Sequence, residues 1–404
     1  MIAEFKPSRP AGCVMAPPSK SMAHRLLICG ALAKGRSVIH GVSDSDDVRA
    51  TLACLSALGA TYTQMGDTVE IHGFDPRESR DCPTLPCNES GSTLRFLVPL
   101  CLFGGGERRF EGSPTLFSRP LSVYEEICRE AGILFKREEA ALTLNGRLAA
   151  GDYRVAGNIS SQFISGLLFA LPLLDGDSTL TVLPPLESGS YLDLTLSALA
   201  AFGIKIERTD ERHFRIKGNQ TYRATEAQVE GDFSGAAFFE ALRLFDCDVR
   251  VEGLSENSLQ GNRAYREFYP LLLRGTPTLP IANCPDLGPI LMALAAAKNG
   301  AVLCGTRRLK MKESDRGAAM AKELAKFGCS VSVHDDSIVV YPLSFHAPTE
   351  DLDGHNDHRI VMALSTLATF TGGRIRGAEA VKKSMPEYFT LMQSLGAEVT
   401  LYAE

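Results

Sequence analysis

Polar clusters followed by apolar residues at helical spacing recur along the chain at nearly constant distance. The first is Pro17-Pro18-Ser19-Lys20-Ser21-Met22-Ala23-His24-Arg25. Two prolines set an extended approach, Ser19 or Ser21 can cap the free N–H groups, and Ala23, Leu26, Leu27 and Ala31 continue at helical period. Further starts lie at Ser90 (Ser90-Gly91-Ser92-Thr93-Leu94-Arg95), Ser160 (Ser160-Ser161-Gln162), Asp232, Asp286 and Asn356, giving intervals of 71, 70, 72, 54 and 70 residues. Spacing this regular marks an internal structural repeat and predicts six units.

The second half of each unit follows one pattern: an amphipathic helix, a glycine, then two alternating strands around a polar turn. Gly59 to Gly73, Gly132 to Gly146, Gly203 to Gly218 and Gly328 to Pro342 all fit it, and Gly396-Ala397-Glu398-Val399-Thr400-Leu401 gives half of another. Short strands such as Ser37-Val38-Ile39-His40 separate the helices. Each unit therefore reads strand, helix, strand, helix, strand, strand, an α/β pattern. The interval of 54 marks a unit short by a hairpin, because 265–284 holds four prolines or glycines and no alternating pair. We count it as a degenerate fifth unit. The Val229-Glu230-Gly231-Asp232 stretch, halfway through the six starts, predicts the domain crossover. The first domain is then 17–229, and the second combines 1–16 with 230–404 through two crossover strands near Pro17 and Gly231.

Composition narrows the class. With 404 residues, 45% apolar and 22% charged, the chain can build two full cores. A net charge of −6 argues against nucleic acid or anionic membrane as a partner unless basic residues concentrate locally. Eleven cysteines, an odd number without a Cys-x-x-Cys pair, read as free thiols of a reducing compartment. The N-terminus lacks the apolar core of a signal peptide and no run approaches bilayer length, so a cytoplasmic location is expected.

The helix starts carry cations where the macrodipole favours anions. Lys20 and Arg25 open the first, and a bound anion would relieve that conflict; a capped surface helix with solvated charges is the other reading. Ser21 and Arg25, four apart, could hold one phosphate. Arg95, Arg119 after the loop Gly112 to Ser118, Lys312, Arg316, Arg359 and Lys383 extend the basic set. In Lys312-Glu313-Ser314-Asp315-Arg316, Lys312 and Arg316 stand four apart as on one helical face. Glu313 among them could shuttle a proton, or the stretch could be an ordinary charged surface. In Asn356-Asp357-His358-Arg359 we expect capping roles for Asp357 and His358, and a carboxylate or phosphate role for the Arg359 guanidinium. Gly104-Gly105-Gly106 precedes a strand, so it is no phosphate loop, and neither a nucleotide fingerprint nor a metal-ligand spacing occurs.

These residues resemble a known family. Ser19-Lys20-Ser21 with Arg25, Gly91 with Arg95, Arg119-Pro120, Ser160-Ser161-Gln162, Pro285-Asp286, Lys312 to Arg316, Asn356 to Arg359 and Lys383 are similar, in order, to motifs of the EPSP synthases among the enolpyruvyl transferases, the family that the herbicide glyphosate targets. The resemblance runs from about Pro17 to Pro386. It implies two domains of three βαβαββ units each, an inside-out α/β barrel, closing over a cleft. It further implies that the 5-hydroxyl of shikimate 3-phosphate attacks the central carbon of phosphoenolpyruvate, whose methylene is protonated, before phosphate leaves. By the same resemblance Lys20, Ser21, Arg25, Ser160, Ser161, Gln162, Ser188, Tyr191, Asp286 and Lys312 hold shikimate 3-phosphate. Lys20, Gly91, Arg119, Gln162, Arg316, Arg359 and Lys383 meet phosphoenolpyruvate. Asp286 is implied as the base at the hydroxyl, and Glu313 with Lys20 as the proton-transfer pair. Neither cofactor nor metal is implied, and a monomer is. Two departures stand out: Arg308 occupies a place where the family often has asparagine, and Phe96 one where many members have proline.

Two rivals remain at this stage. The sister enzyme that acts on UDP-N-acetylglucosamine typically carries a cysteine in the loop before the Arg-Pro pair, and Gly112 to Ser118 has none. A non-catalytic anion-binding paralogue would not be expected to keep Lys20, Asp286, Glu313 and Arg359 together.

Overall fold

The computed structural model describes residues 1–78, 84–342 and 345–403. Strands β1 (Ile2–Phe5) and β2 (Gly12–Met15) precede the first helix. The chain then makes three similar passes. The first runs through α1 (Lys20–Leu32), β3 (Arg36–His40), α2 (Asp46–Ala57), β4 (Thr61–Met65) and β5 (Thr68–His72). The second comprises β6 (Leu85–Asn88), α3 (Gly91–Leu100), β7 (Glu107–Gly112), the short α4 (Pro114–Ser118), α5 (Ser122–Glu130), β8 (Leu134–Arg137) and β9 (Ala141–Asn145). The third has β10 (Asp152–Ala156), α6 (Ser161–Ala170), β11 (Ser178–Leu183), α7 (Gly189–Ala201), β12 (Ile206–Arg208) and β13 (His213–Ile216). Strand β14 (Glu226–Gln228) then returns to pair in parallel with β3.

The remainder follows the same plan with one omission. It consists of α8 (Phe233–Glu240), β15 (Val249–Glu252), α9 (Tyr265–Arg274), β16 (Thr278–Pro280), α10 (Gly288–Ala297), β17 (Ala301–Cys304), α11 (Arg316–Ala325), β18 (Ser330–Val333), β19 (Ser337–Tyr341), β20 (Leu352–Asp353), α12 (His358–Thr371), β21 (Gly373–Arg376), α13 (Tyr388–Ser394) and β22 (Val399–Tyr402).

Among the described residues the strands form five four-stranded sheets, ordered β14-β3-β5-β4, β6-β7-β9-β8, β10-β11-β13-β12, β16-β17-β19-β18 and β20-β21-β1-β22, and one two-stranded sheet, β15-β2. In each larger sheet the first two strands are parallel, and the other pairings are antiparallel. The half-hairpin expected at the C-terminus is completed by β1, which pairs with β22 over Ile2↔Tyr402 to Phe5↔Val399. The missing hairpin belongs to the unit opened at Asp232, fourth in chain order rather than fifth. After α9 the chain passes Gly275 and Pro277 directly into β16, and among the described residues β15 pairs only with β2.

Contacts divide the chain into two units, Lys20–Glu230 and Met1–Ser19 with Gly231–Glu404, each with its own apolar core. The first helix of each repeat is apolar nearly all round. Helix α6 (SQFISGLLFA) buries nine of its ten residues, and α10 (GPILMALAAA) likewise nine. A helix without a polar face has to sit inside a core, so helices occupy the interior of each unit. The second helices keep a polar face, as α5 and α11 do. Close packing is visible where α3 meets α6: a Cβ on Gly166 would lie 2.5 Å from the Arg95 carbonyl oxygen, so only glycine fits. No helix among the described residues is long and apolar enough to cross a membrane. The ten described cysteines are free thiols.

Candidate active site

Helix starts carry most of the chemistry, because capping chemistry fixes them locally. In the unit Lys20–Glu230, Ser90 accepts from the Thr93 N–H at 3.2 Å, and Ser160 from the Gln162 N–H at 3.3 Å. Lys20 is the first residue of α1, and its Nζ donates to Asp47 Oδ2 at 2.7 Å in the first turn of α2. Arg25, one turn further on, is buried. Its Nη1 donates to the Ser21 carbonyl at 2.6 Å, Nε to Thr195 Oγ1 at 2.8 Å and Nη2 to the Tyr191 carbonyl at 3.0 Å. Its guanidinium also lies over the Phe96 ring, 5.1 Å from the centroid. No carboxylate among the described residues pairs with it, and burial lowers its pKa to about 10. A buried cation balanced only by carbonyls, a hydroxyl and a ring favours an incoming anion.

A second group gathers at the start of α3. A Cβ on Gly91 would come 2.8 Å from Arg119 Nη1, so the guanidinium rests on the bare glycine. Arg119 Nε is buried without a hydrogen-bond partner among the described residues. Gln162 is held at both ends of its amide: Arg95 Nη1 donates to Oε1 at 2.7 Å and Nε2 donates to Ser92 Oγ at 2.8 Å. Arg95 also donates to the Pro120 carbonyl at 3.1 Å, so it works as a brace for Gln162 and the Arg119-Pro120 turn. Ser188 is buried before α7 in a left-handed conformation, φ 58°. Ser160 and Ser161 are buried at the start of α6.

In the other unit Asp286 is the focus. It does not cap the helix that follows. It sits in a short 3₁₀ turn, Pro285–Leu287, and accepts from Lys312 Nζ at 3.2 Å and Arg316 Nη1 at 2.9 Å, with Arg359 Nη2 at 3.4 Å. Lys312 and Arg316 do not share a helical face, because α11 begins only at Arg316, after an Asp315 cap that accepts from the Ala318 N–H at 3.1 Å. They meet by converging on Asp286. Glu313 Oε2 takes Arg316 Nη2 at 2.7 Å.

Arg316, 1% exposed, also donates through Nε to Asp357 Oδ2 at 2.8 Å and through Nη2 to Oδ1 at 3.2 Å. Asp357, Glu313 and Asp286 push its pKa up despite burial. Asp357 is the expected cap, accepting from the Arg359 N–H at 2.9 Å, but it is a buried counter-ion as well. His358 is no cap; it is the first helical residue of α12, buried. Arg359 donates to Ser234 Oγ at 3.0 Å, and Lys383 Nζ to the Asn356 carbonyl at 2.6 Å. Burial lowers the Lys312 pKa to about 8, with Asp286 opposing. Burial raises that of Asp232, which caps α8 through the Ser234 N–H, with Arg359 opposing. Arg308, the departure noted above, is buried.

Sequence reasoning missed Asp47, Thr195, Ser234 and the counter-ion role of Asp357. Asp47, Ser234 and Asp357 are polar residues at helix starts and Thr195 lies in the middle of α7, and the partners of Asp47, Thr195 and Ser234 lie 27 to 170 residues away in the chain.

Comparison with known proteins gives a consistent result. A family model described as EPSP synthase (3-phosphoshikimate 1-carboxyvinyltransferase) matches residues 5–392. The 3-phosphoshikimate 1-carboxyvinyltransferase of Clostridium kluyveri is 39% identical, covering 98% of this chain and 97% of its own. That of Clostridioides difficile is 38% identical, with 97% of each chain covered. Among solved structures, an EPSP synthase from Acinetobacter baumannii superposes with a TM-score of 0.79 at 24% identity, covering 99% of this chain and 100% of that one. The enolpyruvyl transferase NikO from Streptomyces tendae gives 0.79 at 15% identity, covering 99% and 98%. The two superpositions speak for the fold, and the family match and the clostridial relatives for the lineage: the chain belongs to the EPSP synthase (3-phosphoshikimate 1-carboxyvinyltransferase) family.

Proposed function

We propose that this chain transfers the enolpyruvyl group of phosphoenolpyruvate to the 5-hydroxyl of shikimate 3-phosphate, releasing phosphate. The observation that carries the reading is the Asp286 carboxylate, held by Lys312 and Arg316 with Arg359 close by, and with Glu313 on the same Arg316. A polyanion arriving there meets cations already in place, and their alignment before reaction is what stabilises moving charge.

In this reading Ser21, Arg25, Ser160, Ser161, Gln162, Ser188, Tyr191 and Lys312 bind shikimate 3-phosphate, with Arg25 supplying a buried charge for the phosphate. Lys20, Gly91, Arg119, Gln162, Arg316, Arg359 and Lys383 receive phosphoenolpyruvate. Asp286 accepts the proton of the attacking 5-hydroxyl. Glu313 and Lys20 deliver a proton to the methylene carbon and remove one when phosphate leaves the tetrahedral adduct. Atoms balance: the proton gained by the methylene is returned, the C–O bond to phosphate is exchanged for one to the acceptor, and the hydroxyl proton taken by Asp286 passes to the departing phosphate or to solvent. The brace from Arg95 to Gln162 supports a fixed amide beside the reacting centre.

Product analysis by NMR tests the acceptor. Enol ether protons forming with shikimate 3-phosphate and not with UDP-N-acetylglucosamine support the reading; the reverse sinks it. Glu313→Gln should keep the affinity for both substrates in calorimetry and lose about 100-fold or more in kcat, the usual scale of a lost proton-transfer group. Near-normal turnover would remove Glu313 from the chemistry.

A further inference from the structure

One buried polar chain in the unit Lys20–Glu230 belongs to none of the groups assigned above. His24 Nδ1 lies 2.7 Å from Thr51 Oγ1, Thr51 Oγ1 lies 2.7 Å from Thr93 Oγ1, and Thr93 Oγ1 donates to Ser90 Oγ at 2.7 Å. All four residues are fully buried. The chain crosses three helices: His24 is on α1, Thr51 on α2, Thr93 on α3, and Ser90 is the α3 cap. Burial, with Lys20 and Arg25 nearby, holds the His24 pKa well below its ordinary value, so the imidazole is neutral and one of its nitrogens is an acceptor.

Each hydroxyl has a single proton to give. A donation from Nδ1 to Thr51 passes on to Thr93 and then to Ser90, the order that agrees with the Thr93 donation to Ser90. Thr51 links His24 to the rest of the chain. It is also the only one of the four on α2, whose first turn holds Asp47 against Lys20. Two rungs therefore tie α1 to α2, Lys20 to Asp47 and His24 to Thr51, and Thr51 to Thr93 at 2.7 Å ties α2 to α3 just below Gly91, beside a longer contact of 3.5 Å from Thr93 Oγ1 to the Asp47 carbonyl.

We propose that Thr51 is a positioning residue: through His24 and Thr93 it fixes the separation between Lys20 at the start of α1 and Gly91, with the Arg119 guanidinium on it, at the start of α3. It touches no substrate. Its reach to phosphoenolpyruvate rests on the assignment of Lys20, Gly91 and Arg119 made above. A hydroxyl with hydrogen-bond partners on both sides at fixed spacing resists sliding of either helix, whereas apolar packing alone is not directional.

The test compares Thr51→Val, which keeps the shape and deletes the hydroxyl, with Thr51→Ser, which keeps the hydroxyl. A control, Tyr222→Phe, deletes the buried bond to the Phe169 carbonyl, 2.8 Å, away from these helix starts. Two readouts are needed. Amide hydrogen exchange over the first turn of α3 reads the ladder without any substrate: faster exchange in Thr51→Val, restored in Thr51→Ser and unchanged in Tyr222→Phe, is expected. Steady-state kinetics read the consequence: Thr51→Val should raise KM for phosphoenolpyruvate about tenfold, the scale of one lost hydrogen-bonded contact, with Thr51→Ser near wild type. Unchanged exchange, or a KM change equal in Thr51→Val and Tyr222→Phe, overturns the proposal. An inactive wild-type enzyme would instead overturn the reading of function, while the exchange result still decides the ladder.

Discussion

Arg316 shows what a single buried cation demands. It is 1% exposed and serves three carboxylates, Asp286, Glu313 and Asp357, of which Asp357 is fully buried. Asp357→Asn removes the one fully buried counter-ion and leaves Arg316 with Asp286 and Glu313, so it should lower stability by about 1–3 kcal/mol in urea unfolding, the scale of a lost hydrogen bond to a charged group. Lys312 gives a pH signature. Burial puts its pKa at about 8, below the ordinary 10.5, so the free enzyme loses this charge as pH rises through 8. Affinity for shikimate 3-phosphate measured by calorimetry should fall over that range, proton uptake on binding should appear above pH 8, and Lys312→Arg should abolish both effects. The sign for folding is opposite: between about 8 and 10.5 the unfolded chain binds more protons, so this residue makes stability rise with pH there. Arg359 could be picked from sequence as a cation at a helix start, whereas Lys383, grouped with it by the same reading, closes a short 3₁₀ turn, Ala378–Lys383. That Asp357 would serve Arg316, 41 residues earlier, could not, because the cap pattern already accounted for the aspartate.

Helix starts were the legible elements. Ser90, Ser160, Asp232 and Asp357 cap as the local pattern predicts, since an N-cap needs only its own next three residues. Where the sequence suggested one helical face for Lys312 and Arg316, Asp315 instead caps a helix that starts at Arg316, and the turn before it brings Lys312 to Asp286. Local period alone does not tell where a helix begins when two polar residues compete for its cap. Gly91 tests the element directly. Alanine suits a helix better than glycine, yet its Cβ would press on Arg119 Nη1. Gly91→Ala should therefore keep or slightly raise the melting temperature while raising KM for phosphoenolpyruvate. A variant with unchanged KM would show that the guanidinium position is not used.

Across the whole chain, six helix starts at a near-constant interval revealed the repeat before any pairing was known, because each unit carries its own local signals. Strand partners were harder. Strand β14 joins β3, β2 joins β15, and β1 completes the sheet of β21 and β22, all pairings across long stretches of chain that hydrophobic alternation does not encode. The short interval was read correctly as a lost hairpin but assigned one unit too late, since 265–284 spans both the whole of α9 and the first strand of the next unit. Two units with separate cores each carry part of the cation set, and the proposed reaction needs both sets. The most direct measurement is phosphate release by the purified protein with shikimate 3-phosphate and phosphoenolpyruvate, supplied singly and together. Release that requires both substrates is the predicted result; no release from folded protein given both would contradict the account.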